Sequence, residues 1–199
     1  KVFSCYRRED SKDFAGRLRD KLAPRLGESN VFMDIDGIPL GSNFSKKAEE
    51  AIEGSDVVLV LIGPDWMPHA PPDKARLHDP EDHVRQEIET ALQAKTWTIP
   101  ILLHGSKVPL KEDLPKTIQG LPSLNGLEVG SRFHPDIEKL ISDIKREVFK
   151  RRKALLLSRL SQFSKRFVRG IYTPAFLLSA DIVGTLIIIG IIATLTPSP

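Results

Sequence analysis

Val57-Val58-Leu59-Val60-Leu61-Ile62 is the stretch that most constrains this chain. Six apolar residues in a row leave no polar face for water, and three of them are β-branched. Such a run, bounded by Asp56 and Gly63, predicts a strand covered on both faces, as in parallel sheets flanked by helices. The surrounding sequence supplies the partners. Val2 to Tyr6 and Val31 to Met33 read as short strands, Thr98 to Leu103 as a fourth and Gly126 to Val129 as a weak edge strand. Pro100 is awkward inside the fourth and implies an irregular or late start. Between them, Phe14, Leu18, Leu22 and Leu26 recur at helical spacing behind Ser11, read as an N-cap, with Gly27 and Asn30 ending the helix. Further helices are expected over 44–52, 82–94 and 136–149, with a short one around 114–118. Five alternating β and α units indicate a doubly wound, five-stranded parallel sheet.

The net charge of +3 conceals an uneven distribution. Between Lys145 and Arg169 stand roughly ten Lys and Arg against one acid, Glu147, leaving the first 144 residues at about −5. The expected folded domain, 1–149, is therefore mildly acidic, which argues against a nucleic-acid surface. Residues 150–174 read as a basic amphipathic segment with Leu156, Leu160, Phe163 and Phe167 on one stripe. A solvated extension of the last helix is the plainer alternative. Residues 175–195 are apolar apart from Asp181 and small hydroxyls, and span roughly 30 Å as a helix, about one hydrocarbon core. They are expected to cross a membrane once, leaving 196–199 as a short tail; a buried or oligomerising helix is the alternative. The Lys/Arg bias places the folded domain in the cytoplasm. The single cysteine, Cys5, excludes an internal disulfide and fits a reducing compartment. No secretory leader is expected in this stretch, and the missing Met suggests that residues precede Lys1.

Two places carry candidate chemistry. Glu87 lies early in the helix that follows the long loop from Gly63 to Glu81, which places a carboxylate at the carboxyl-end rim of the sheet, where open α/β folds bind ligands. Tyr6-Arg7-Arg8 forms the turn after the first strand. His78 to His83 invites a metal reading, but the spacing fits no familiar zinc pattern and no metal is expected. Phosphate-loop and nucleophile-elbow motifs are absent from the sequence.

Four segments in register carry a resemblance. Phe3-Ser4-Cys5-Tyr6-Arg7-Arg8-Glu9-Asp10-Ser11, Val31 to Asp34 with Asp36 to Gly41, Ser55 to Trp66, and Asp82 to Leu92 resemble the motifs of bacterial-type Toll/interleukin-1 receptor (TIR) domains. The resemblance spans about residues 1–148 and implies a flavodoxin-like fold. It also implies one of two activities. Some members hydrolyse or cyclise NAD⁺, often in bacterial defence against phage; others are scaffolds that act through TIR–TIR contacts. Carried over by position, the catalytic glutamate falls on Glu87. The wall facing ribose and nicotinamide falls on Tyr6, Arg7, Arg8, Asp34 and Trp66. His83 stands where the family has an aromatic, and Cys5 where it has a hydroxyl. NAD⁺ is then a substrate and no further cofactor is implied. Self-association would run through the loop Asp34 to Ser42, with Ile38 and Pro39 at its tip. The residues have plainer readings as well. Glu87 as a helix-start carboxylate favoured by the dipole is one; the others are Arg7 and Arg8 paired with Glu9, Asp10 or a neighbouring subunit, and Trp66 packed beneath its loop. Glu89, about 200° round the helix from Glu87, is not expected to be its partner.

Overall fold

The computed structural model describes residues 1–33, 44–67 and 76–170, without the side chains of 44, 45 and 162–170. The chain divides into two units, Lys1–Arg146 and Glu147–Pro199.

The first unit is built on five parallel strands: β1 (Val2–Cys5), β2 (Val31–Met33), β3 (Val57–Ile62), β4 (Trp97–Leu103) and β5 (Leu127–Val129). Their spatial order is β2-β1-β3-β4-β5. Every residue of β3 is buried, as its unbroken apolar run requires. The helices are α1 (Arg8–Leu26), α2 (Phe44–Glu53), α3 (His83–Gln93) and α4 (Phe133–Gly170). One core joins Phe3, Val58, Val60 and Ile62 of alternate strand positions to Ile52 of α2 and Ile88 of α3. α1 meets the start of α4 where the rings of Phe14 and Phe133 pack edge to face, 5.5 Å apart. The guanidinium of Arg17 lies over the Phe133 ring at 4.2 Å.

Three sequence expectations are corrected. Ser11 is not an N-cap: α1 starts at Arg8 with Arg7 at the cap, and Ser11 lies inside the helix, buried. The earlier start is held by Asp10, whose carboxylate accepts the backbone N–H groups of Gly63 (2.9 Å) and Asp65 (2.8 Å). A Cβ on Gly63 would collide with that carboxylate. Asp10 thus bridges the ends of β1 and β3, where the strand order reverses. β4 is neither late nor irregular. Pro100 pairs with Val60 in its interior, and β5 joins only from Ile101 onward. On that side the proline stands before the ladder, where a missing N–H is tolerated. The last helix, expected to stop at Phe149, starts at Phe133 and runs to Gly170. Lys, Arg, Leu and Ala are good helix formers, so the change at 150 is one of burial, not of helicity. Residues 150–159 are all exposed, Leu155, Leu156 and Leu157 included. The apolar run 175–195, the tail 196–199 and the loop from Asp34 to Ser42 lie outside the described residues. Among the described residues, no helix is long and apolar enough to cross a membrane.

Candidate functional site

Among the described residues, three charged side chains are buried: Arg7 at 4% exposure, Asp82 at 6% and Glu87 at 5%. All three belong to the ends of β1 and α3. Burying a charge is costly unless something compensates it, so three in one place is the main electrostatic feature of the fold.

Two of them compensate each other. Arg7 Nη1 donates to Asp82 Oδ2 at 2.8 Å and Nη2 to Oδ1 at 3.2 Å, a bidentate fork. Its Nε donates to the carbonyl of Trp66 at 2.9 Å. Asp82 is also the N-cap of α3, accepting the N–H of Arg85 at 2.9 Å. One ion pair therefore joins the turn after β1, the loop after β3 and the first turn of α3. Arg76 Nε approaches the same carboxylate at 3.6 Å from the surface. Arg7 is thus committed to Asp82, whereas the sequence offered Glu9, Asp10 or a neighbouring subunit as its partner.

Glu87 lies outside that pair. It shares a helical stripe with Val84, Ile88 and Ala91, the other buried residues of α3. A carboxylate there occupies a position the helix otherwise fills with hydrocarbon. Five residues after Asp82, it sits roughly 7 Å further along the axis. Its Oε2 is wholly shielded from solvent. Glu89, two residues on, takes Arg85 Nε at 2.6 Å and the hydroxyl of Thr117, so it belongs to a separate network.

The other sequence candidates separate by exposure. Tyr6 is buried at 7%, and Trp66 is almost fully buried at 1%. Arg8 and His83 are exposed. Asp34 lies outside the described residues. Cys5 is buried, its Sγ 3.8 Å from the Val84 carbonyl. No group of three His, Cys, Asp or Glu that could hold a metal ion occurs among the described residues. Asp82 and Asp10 were missed as site-building residues. Asp82 carried a legible sign, an Asp just before a helical repeat; the partners of Asp10 lie more than fifty residues away.

A family model for the TIR domain matches residues 2–141. The chain belongs to the TIR-domain family. A search of curated proteins returned no match. Among solved structures, the chain is similar to the TIR domains of the activated Roq1 resistosome, which directly recognises the pathogen effector XopQ. The TM-score is 0.53 at 15% identity, over 74% of this chain and 98% of that one. It is also similar to the TIR domain of the Toll-related receptor TRR-2 from Hydra magnipapillata, with a TM-score of 0.49 at 19% identity over 74% and 96%. A third similar structure is the CMP N-glycosidase BcmB of Clostridium botulinum, with a TM-score of 0.40 at 17% identity over 70% and 95%. At such identities the first of these speaks to the fold alone. Within this TIR domain the buried charges mark one end of the sheet, and the Arg7–Asp82 pair positions the helix that carries Glu87.

Proposed function

We propose that this TIR domain cleaves the nicotinamide–ribose bond of NAD⁺, with Glu87 as the anion that stabilises the developing sugar cation. The observation that carries this reading is the burial of Glu87 on the apolar stripe of α3, beside a neutralised Arg7–Asp82 pair. The chemistry suits such a group. Nicotinamide departs as a neutral molecule, so little acid catalysis is needed. Positive charge gathers on the ribose as the C–N bond breaks, much as in glycoside cleavage. A fixed carboxylate in a water-poor site stabilises that charge more strongly than a solvated one. Water completes hydrolysis to ADP-ribose; capture by the adenine ring gives a cyclic product instead. Arg8 suits the pyrophosphate, and Tyr6, Trp66 and His83 suit the flat ring systems.

Self-association is part of the proposal, with the loop Asp34 to Ser42 as the contact; the Roq1 TIR domains belong to such an assembly. The apolar run 175–195 and the basic segment before it would tether the domain to a membrane with its catalytic face in the cytoplasm, in a defence role. The test is nicotinamide release from NAD⁺ by the clustered chain, followed by chromatography. Glu87→Gln is expected to lower the rate by about 100- to 1,000-fold, the range for removing one preorganised electrostatic group. No release from the wild type, or equal release from Glu87→Gln, refutes the enzymatic reading. A scaffold would then show itself if Ile38→Asp abolished assembly while Glu87→Gln left it intact.

A further inference from the structure

The ends of β3 and β4 frame a second cavity, of about 230 Å³, that does not include Glu87, Tyr6 or Arg7 in its lining. Trp66 and Ser106 both line it. Each carries a buried side-chain atom, the indole Nε1 and the hydroxyl Oγ, that makes no hydrogen bond. Buried polar groups in folded proteins are nearly always satisfied, and each exception requires a reason. Two on one cavity point to an occupant.

The lining describes that occupant. Ile62, Pro64, Met67 and Pro109 supply apolar wall. The Trp66 indole can only donate and the Ser106 hydroxyl can do either, so the complementary group is an acceptor oxygen. Lys107 adds a cation at the exposed edge, and no acidic residue lines the cavity. The loop that brings Ser106 and Lys107 here turns through His104 and Gly105 with φ of 53° and 75°. A non-glycine residue in the left-handed region is uncommon and clusters at binding sites. Ordered water needs two to four polar partners, which these apolar walls do not supply in depth. The volume lies just below the usual range for drug-sized ligands.

We infer that this cavity binds a small planar carboxylate about one ring in size, its oxygens on Trp66 Nε1, Ser106 Oγ and the Lys107 ammonium, and its flat body against the apolar walls. The site is separate from the Glu87 chemistry and stands or falls apart from it.

Trp66 is its own reporter once Trp97, the second tryptophan, is replaced. The full chain carrying Trp97→Phe is titrated with benzoate, benzamide and inorganic phosphate while indole fluorescence is followed. Benzoate is expected to give a saturable change. Lys107→Ala should weaken benzoate about tenfold and leave benzamide unchanged, since only the carboxylate carries charge. Ser106→Ala should weaken both about fivefold, the worth of one ordinary hydrogen bond. The inference is overturned if benzoate gives no saturable response, which would leave a water-filled cavity. Phosphate binding in place of benzoate, or identical benzoate curves for wild type, Ser106→Ala and Lys107→Ala, would overturn it too.

Discussion

Breaking the Arg7–Asp82 pair tests whether α3 is held by one buried ion pair. The two side chains are 4% and 3% exposed, so water replaces little of what a substitution removes. Removing one partner of a buried pair strands the other charge, at about 3–5 kcal/mol. Arg7→Met strands Asp82, which keeps Arg76 at 3.6 Å and the Arg85 N–H, so its cost belongs near the lower bound, about 3 kcal/mol. Asp82→Leu strands the guanidinium and also removes the helix cap, which adds about 1 kcal/mol. Asp82→Asn keeps a capping oxygen and removes the charge, so it isolates the ionic part. Arg7→Met with Asp82→Leu removes both charges at once. The double variant is therefore expected to be more stable than the sum of the singles by about 2 kcal/mol or more. Urea denaturation followed by circular dichroism reads all four chains, with the m-value unchanged. A domain stable by about 5–15 kcal/mol tolerates these losses in the wild-type background. An Arg7→Met cost below about 1 kcal/mol, or additivity within about 0.5 kcal/mol, would refute the clamp.

Other outcomes follow from the same geometry. Asp10→Ala removes the carboxylate that two backbone N–H groups share; because water reaches the Asp65 contact, the loss is about 2 kcal/mol by urea denaturation, and Asp10→Asn recovers only part of it. Gly126→Ala places a Cβ 2.8 Å from the Pro100 carbonyl oxygen, which lies on backbone and yields little; a cost of about 1–3 kcal/mol is expected in the same assay. Glu9 is held below its ordinary pKa by its own backbone N–H at the start of α1, aided by Arg76 and Arg7. The stabilisation is present above the unfolded carboxylate's pKa and is lost as pH falls through the lower folded value. Comparing Glu9→Gln with wild type at pH 7 and pH 3 should show a difference at pH 7, under about 1 kcal/mol for so exposed a group, and none at pH 3.

The sheet was legible because its signals are local. β3 announces itself by an apolar run that no helix face or half-exposed strand tolerates. The first helical turn was not legible: Arg7-Arg8-Glu9-Asp10 reads as a polar turn until Asp10 finds Gly63 and Asp65, which no local pattern encodes. The length of α4 was missed for the opposite reason, since its amphipathic signal ends near Phe149 while helix propensity continues. Glu87 shows the same division. Its place on the stripe with Val84, Ile88 and Ala91 is written in the spacing, and burial follows from it. The partnership that aims the helix joins residues 7 and 82, and only the fold shows it.

That partnership also divides the two arginines of the Tyr-Arg-Arg turn. The family resemblance assigns both to the ligand wall, yet Arg7 reaches a ligand only by leaving Asp82. Leaving strands a buried carboxylate at about 3 kcal/mol or more, which weakens any ligand it served by over 100-fold. Arg8 is already exposed to solvent and meets an anion without that cost. Two kinds of failure are therefore expected from neighbouring substitutions. Arg8→Ala should raise KM for NAD⁺ by about tenfold with kcat and urea stability unchanged, the loss of one charge-assisted contact to pyrophosphate. Arg7→Lys should lower stability and kcat together, because a lysine cannot make the fork that positions α3 and, with it, Glu87. Steady-state kinetics and denaturation on the same two chains separate the roles. An Arg8→Ala enzyme with unchanged KM, or an Arg7→Lys enzyme that loses only affinity, would show that the ligand takes the buried arginine after all.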